Sequence, residues 1–180
     1  AYDAGRARVI GLRLAPDGGE QWSWDGTGWQ RLAEIGPNVD GTLGARLVYD
    51  ATHGVLVLVA TVNAPAPDGS PGVGNQVWLH DADGWRQGPD LPVGRLQPAL
   101  AFDPAGDGSV VLHGGYTLRD GGEIDEVLGD TWRLTEAGWA QIGTINQPAV
   151  YFHELAYDEV SDRLLLVGGQ QGTWALDNDD

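Results

Sequence analysis

The chain has 180 residues, 42% apolar and 20% charged, the balance of an ordinary folded protein, and no apolar run reaches the roughly eighteen residues that a membrane-spanning helix requires. Twenty-six acidic residues against ten basic ones, all of them Arg, give a net charge of -16, which argues against nucleic-acid and anionic-membrane partners. Without Cys or Lys there is no thiol nucleophile, disulfide, thiolate metal site or Schiff base, and the compartment is left open.

The elements recur. Tyr2-Asp3 opens the first repeat, the apolar run from Arg8 to Leu14 follows, and Trp22 and Trp29 mark two further strands. The second repeat carries Tyr49-Asp50, the run from Val55 to Val62, then Trp78 and Trp85. In the third these are Phe102-Asp103, Ser109 to Gly115, Trp132 and Trp139. The fourth has Tyr157-Asp158, Arg163 to Gly169 and Trp174. Short apolar or β-branched runs closed by Gly, Asp or Pro predict antiparallel meanders, and no stretch shows a helical apolar period. The chain is therefore expected to be all-β, with units at 1–40, 41–92, 93–146 and 147–180. Their strand counts are four, four, four and three. The incomplete fourth unit predicts a segment of a larger ring, whose remaining blades lie on the same chain or another.

The Asp of each aromatic-Asp pair is expected to cap a turn through nearby backbone N–H groups. The tryptophans are expected to fill the space between stacked sheets, where one indole buries about 150–250 Å². Together with the pairs Gly114-Gly115 and Gly168-Gly169 and the Asp-Thr-Trp of residues 130–132, this pattern resembles a kelch-type β-propeller along essentially the whole chain. The first two repeats depart from it, with Arg13-Leu14 and Ala60-Thr61 at the Gly pair. The resemblance implies four-stranded antiparallel blades, and binding of peptides or proteins through two sets of loops.

The interval from aromatic-Asp to Trp varies from Asp158–Trp174 to Asp103–Trp132, so length variation falls between strands two and three. Loops after strands two and four of a meander emerge at one end. Residues 14–20, 61–75 and 116–129 are thus expected as long loops beside the inter-blade connections. The short loops 25–28, 81–84, 135–138 and 177–180 occupy the other end. Variable loops on a rigid scaffold carry recognition, and Arg and Tyr are frequent hot spots. The candidate binding residues are Arg46, Arg95, Tyr116, Arg119, Tyr151 and His153, with a protein or glycan as partner.

Five carboxylates, Asp120, Glu123, Asp125, Glu126 and Asp130, could offer Ca2+ oxygen ligands, although the Gly and terminal Glu of the twelve-residue calcium loop are missing. No other cofactor is expected. His53, His80, His113 and His153 fall at unlike positions, with no paired metal-ligand spacing. The Glu-x-x-x-Asp-x-x-x-His iron site of some plant kelch propellers is matched by Glu126 and Asp130 but fails at Leu134, and a kelch copper-radical oxidase would need a Cys. Neither a nucleophile elbow nor a phosphate-binding loop is present. The first reading is a non-catalytic binding or assembly module. The alternative is a propeller enzyme, similar to mutarotases, acting on a small sugar where the blades converge.

Overall fold

A computed structural model describes all residues except 17, 40–41, 66–70, 106–107, 120–121, 144–146, 170–173 and 177–180, and of residues 34, 35, 42, 71 and 174–176 it describes the backbone alone. The described residues form strands and turns without a helix, so none is long and apolar enough to cross a membrane. Sheet 1 is the meander β1 (Tyr2–Asp3), β2 (Arg8–Arg13), β3 (Glu20–Trp24) and β4 (Trp29–Ile35). Sheet 2 is β5 (Thr42–Asp50), β6 (Val55–Pro65), β7 (Pro71–Asp81) and β8 (Gly84–Gln87). Sheet 3 pairs β9 (Ala99–Asp103), β10 (Ser109–His113), β13 (Thr131–Thr135) and β14 (Gly138–Ile142) in that order. Between β10 and β13 the chain forms a separate hairpin, β11 (Tyr116–Leu118) with β12 (Ile124–Val127). Sheet 4 has β15 (His153–Asp158), β16 (Arg163–Gly168) and β17 (Trp174–Leu176). All strand pairs within these sheets are antiparallel.

Each aromatic-Asp pair ends a first strand, and the Asp does what its residue type predicts. Asp3 accepts the Arg6 N–H, Asp50 those of Thr52 and His53, Asp103 that of Ala105, and Asp158 that of Val160. The turns then pass through left-handed backbone at Ala7, Gly54, Gly108 and Asp162. At the opposite end of β10, Gly114 and Gly115 have φ of 64° and 97°, and a Cβ would lie 2.6 Å from the Val150 carbonyl oxygen and 2.5 Å from that of Leu96. Both the dihedral and the close approach require glycine there.

Sheets stack in chain order, and strand alternation gives each sheet two unlike faces. Val57, Val59, Val77 and Leu79 of sheet 2 pack against Val110, Leu112, Trp132, Leu134 and Trp139 of sheet 3. On its other face sheet 2 turns Ala60, Val62 and Trp78 toward Leu14 and Val39. Ala99, Ala101 and Val111 of sheet 3 meet Leu155, Leu164 and Leu166 of sheet 4. In sheets 2 and 3 the face toward the preceding sheet therefore carries the tryptophans, and the face toward the following sheet is mainly aliphatic. Double-sided burial explains why β6 and β10 read as continuous apolar runs rather than alternating ones.

The indoles differ from expectation in depth. The core is aliphatic, and Trp78, Trp85, Trp132 and Trp139 rim it half-buried. Their N–H groups are the reason, because an indole nitrogen must keep an acceptor. Trp85 donates to Gln21 Oε1 in sheet 1 at 2.9 Å, and Trp139 to the Pro89 carbonyl at 3.0 Å. Third-strand tryptophans donate two residues back along their own strand, Trp22 to Glu20, Trp78 to Gln76 and Trp132 to Asp130. Among the described residues the stack is not closed into a ring, sheets 1 and 4 not packing on each other.

Two expected long loops are corrected. Residues 61–75 are mostly strand, because β6 and β7 stay paired out to Pro65 opposite Pro71, and residues 116–129 contain the β11–β12 hairpin. Their Gly content, and Pro65 and Pro71 in the first, suggested loops, but these two prolines face each other in the last pair before the hairpin's turn, where the ladder stops. Both hairpins project at the same end, with β11 beside β7. The short loop expected at 177–180 lies outside the described residues.

Candidate functional site

Two connectors cross this end of the stack, residues 93–98 between sheets 2 and 3 and residues 147–152 between sheets 3 and 4. Arg95 anchors the first. Its N–H donates to Asn75 Oδ1 at 2.8 Å, and its carbonyl accepts from Asn75 Nδ2 at 3.0 Å and Thr61 Oγ1 at 3.1 Å, all on sheet 2. The guanidinium reaches sheet 3, where Nη1 and Nη2 form a bidentate pair with Asp130 at 2.6 and 2.9 Å, and Nη1 also donates to the Gly114 carbonyl at 3.2 Å. Burial acts to raise the Asp130 pKa, but hydrogen bonds from Arg95 and Trp132 and the Arg95 charge outweigh it and hold the carboxyl below its ordinary value. Arg95 is wholly buried and structural, so it leaves the candidate face. Its position before a first strand suggested exposure; the acceptor that buries it lies 35 residues away in sequence.

First strands of successive sheets lie side by side, β1 by β5, β5 by β9 and β9 by β15. Counting back from the turn Asp makes Arg46, Ala99 and Glu154 equivalent. The small Ala99 lets Arg46 Nη2 approach Glu154 Oε1 to 3.7 Å, and the same nitrogen donates to Gln97 Oε1 at 3.2 Å. Arg46 is partly exposed, and the hollow it lines with Gly44, Val59, Thr61, Gln97 and Pro98 has room for about one water molecule.

His153, also a candidate for the binding face, is buried instead, and neither ring nitrogen makes a hydrogen bond of good geometry. It stands edge-on to His113, with centroids 5.4 Å apart. His113 places Nε2 3.0 Å from the Pro148 carbonyl, which only accepts, so that nitrogen carries the proton; Nδ1 faces Thr131 Oγ1 at 2.8 Å, and Thr131 in turn contacts Gln147. Burial lowers the pKa of both histidines, and the charges of His113 and Arg46 add to it at His153, which falls to about 4. Two neutral, buried imidazoles thus pack where the second connector crosses the end of sheet 3.

Two of the remaining candidates, Tyr116 and Tyr151, come together beside Phe152. Tyr116 and Tyr151 meet edge-to-face at 5.0 Å, and Phe152 lies 5.1 Å from Tyr151 and 6.5 Å from Tyr116. Antiparallel bridging of Leu96 with Tyr116 ties this cluster to the first connector. Phe152 is 63% exposed and has left-handed backbone, φ 58°. Gln97, its equivalent six residues before the turn Asp, has φ 51°. A bulky side chain in this region is an outlier, and in Phe152 the strained residue presents its ring to solvent. Sequence reasoning missed Phe152 and Gln97, although counting back from Asp103 and Asp158 would have paired them. Arg119 is exposed at the hairpin turn and paired with Glu123 at 2.5 Å.

Carboxylates of the acidic loop do not converge. Asp130 is turned inward to Arg95 and Trp132, Glu123 holds Arg119, and Asp125 and Glu126 are consecutive in β12 and point to opposite sides of the hairpin. Asp120 lies outside the described residues, and among these no group of three or more residues could hold a metal ion.

No family model and no curated protein matches the sequence. A solved structure, the crystal structure of a protein of unknown function from Dyadobacter fermentans DSM 18053, is similar with a TM-score of 0.49 at 17% identity. The match covers 92% of this chain and 49% of that one, so the chain spans about half the length of that protein.

Proposed function

We propose that the four sheets are successive blades of a kelch-like β-propeller and that the chain is a non-catalytic binding or assembly module. Its partner, a protein, docks on the aromatic cluster of Tyr116, Tyr151 and Phe152, with Arg119 and the Arg46–Glu154 pair as polar neighbours. Strand order, sheet stacking and the side-by-side first strands support the blade reading. The observation that carries the binding reading is Phe152, exposed on a strained backbone and backed by two tyrosines. Aromatic anchors with nearby Arg are the usual composition of interface hot spots. The small-sugar enzyme is the weaker reading, because the hollow beside Arg46 is far below the ~300 Å³ of a typical ligand site.

The test compares partner capture by the wild-type chain and by a Tyr116→Ala/Phe152→Ala variant, with melting followed in parallel and a glycan array as a second arm. A protein held by the wild type and lost by an equally stable variant supports the proposal. Glycan binding that depends on the same two rings would replace the protein partner with a carbohydrate. Capture indifferent to both substitutions would remove the face from consideration.

A further inference from the structure

The β11–β12 hairpin and the start of β15 set carboxylates around the rings of Tyr116, Tyr151 and Phe152. Val127 stands opposite Tyr116, and Asp125 and Glu126, both exposed, precede it, so each lies within about 7 Å along the strand of the residue facing that ring. Glu154, 71% exposed, follows two residues after Phe152. The arginines of these elements are already engaged, Arg119 by Glu123 at 2.5 Å, and Arg46 by Gln97 at 3.2 Å and Glu154 at 3.7 Å. Among the described residues no ion pair reaches Asp125 or Glu126. The aromatic cluster thus sits in a surplus of negative charge.

The three rings are inclined to one another by 54–65°, so no pair is stacked face to face, and the 63% exposure of Phe152 leaves its ring open to a partner. An aromatic face carries negative charge density, which attracts a cation lying within about 6 Å of the centroid. An apolar side chain docked here would strip water from the carboxylates without compensating them. A cation would be drawn by ring and carboxylates together. Among cations a guanidinium suits both at once, being planar and weakly hydrated, with a face to lay on a ring and a fork of N–H donors at its edge for a carboxylate.

We propose that the protein partner lays an arginine side chain on the Phe152 ring, with Tyr116 and Tyr151 beside it and the carboxylates of Asp125, Glu126 and Glu154 balancing its charge. The inference rests on the docking reading above and names the group that the partner brings to it. Cation attraction at an exposed ring strengthens binding by roughly two- to fivefold, and by more once the pair is desolvated. The surplus carboxylates steer a basic segment toward the face and lose that effect as salt screens them.

The test titrates the 180-residue chain with three acetylated and amidated pentapeptides, Gly-Gly-Arg-Gly-Gly and its Lys and Leu counterparts. NMR follows the ring of Phe152, one of two phenylalanines in the chain, through the signals that Phe152→Leu removes. The Arg peptide should bind about threefold or more tightly than the Lys peptide and about tenfold or more tightly than the Leu peptide. Its affinity should fall roughly two- to fivefold in Asp125→Asn/Glu126→Gln, and by a similar factor between about 50 and about 500 mM NaCl. The peptide series on the wild type needs no substitution, so a variant that misfolds leaves the test intact. In partner capture, Phe152→Leu keeps the apolar area and loses the ring face, and should weaken binding at least about twofold. No ring shift up to about 20 mM Arg peptide, or a Lys or Leu peptide binding as tightly as Arg, would overturn the arginine. So would capture that needs the rings yet tolerates both Phe152→Leu and high salt, an outcome that leaves the docking reading in place. Capture indifferent to Tyr116→Ala/Phe152→Ala would instead remove the docking reading, and this inference with it.

Discussion

The two connectors solve one problem with different chemistry. Each must cross the polar end of sheet 3, where the β10 and β13 backbones and the Gly114-Gly115 corner leave groups to satisfy. The first inserts a charge: Arg95 is wholly buried, and its guanidinium is held by Asp130 and the Gly114 carbonyl. The second inserts neutral groups. Val150 accepts from the Gly115 N–H at 2.9 Å and donates to the Leu128 carbonyl at 3.2 Å, while His113 bonds Pro148 and Thr131. An arginine reaches both neighbouring sheets at once, so the first crossing is tied to sheets 2 and 3 by a single residue. An imidazole cannot span that distance, and the second crossing fills the remaining space with His153, whose ring nitrogens make no hydrogen bond of good geometry. The charged crossing should therefore be sensitive to truncation, and the neutral one to pH.

Arg95→Ala tests the first half and has the largest expected effect. Removing one partner of a buried ion pair leaves the other charge uncompensated and costs roughly 3–5 kcal/mol. Chemical denaturation should show that loss, with most of it recovered in Arg95→Met/Asp130→Leu, where no charge remains. A loss below about 1 kcal/mol would mean that solvent reaches Asp130 and that the clamp is a surface pair.

Acid tests the second half. His153 titrates near 6.5 when unfolded and at about 4 when folded, and the folded pKa of His113 is also lowered. Between those values the unfolded chain binds a proton that folded His153 refuses. Stability is thus complete above pH 6.5 and declines as pH falls toward 4, by on the order of 3 kcal/mol at His153. Melting temperatures of wild type and His153→Phe should draw apart as pH rises from about 4 to 6.5 and run parallel outside that window. Identical pH profiles would show that His153 is hydrated.

Architecture was legible because it repeats. Four copies of an aromatic-Asp turn and a Trp ladder are local signals, each fixed by short-range chemistry, and the sheets follow their spacing. The connectors were not, since their meaning depends on pairs distant in sequence. Nothing around Arg95 announces Asp130, and nothing in Tyr-Phe-His shows that the His is buried while the Phe is exposed. Prolines and glycines at 61–75 concealed a paired hairpin, because Pro65 and Pro71 fall at the last pair before its turn, where a missing N–H is harmless. The acceptor two residues before Trp22, Trp78 and Trp132 was visible as Glu-x-Trp, Gln-x-Trp and Asp-x-Trp, but it has meaning only once the strand places both side chains on one face.

Trp132→Phe isolates a smaller part of the charged crossing. It keeps the ring against the core and removes the indole N–H that donates to Asp130 at 2.6 Å, leaving the carboxylate its bidentate Arg95. Loss of one charge-assisted hydrogen bond predicts about 1.5–3 kcal/mol, below the Arg95→Ala cost. Equal losses from the two substitutions would mean that Trp132, rather than Arg95, holds Asp130 in place.

The smallest effects come from the feature that the connectors share, left-handed backbone at Gln97 and Phe152. A non-glycine residue costs roughly 1–2 kcal/mol in this region, and glycine returns about 0.5–1 kcal/mol of that through its greater freedom when unfolded. Gln97→Gly and Phe152→Gly should each be neutral or stabilising by up to ~1 kcal/mol, after allowance at Gln97 for its bond to Arg46. They should differ in function. Gln97→Gly should leave partner capture intact, whereas Phe152→Gly should abolish it while the protein melts no earlier than wild type. That opposition of sign separates a ring retained for recognition from one retained for packing, because a packing residue that is 63% exposed has little stability to lose, yet its removal would then leave binding unchanged.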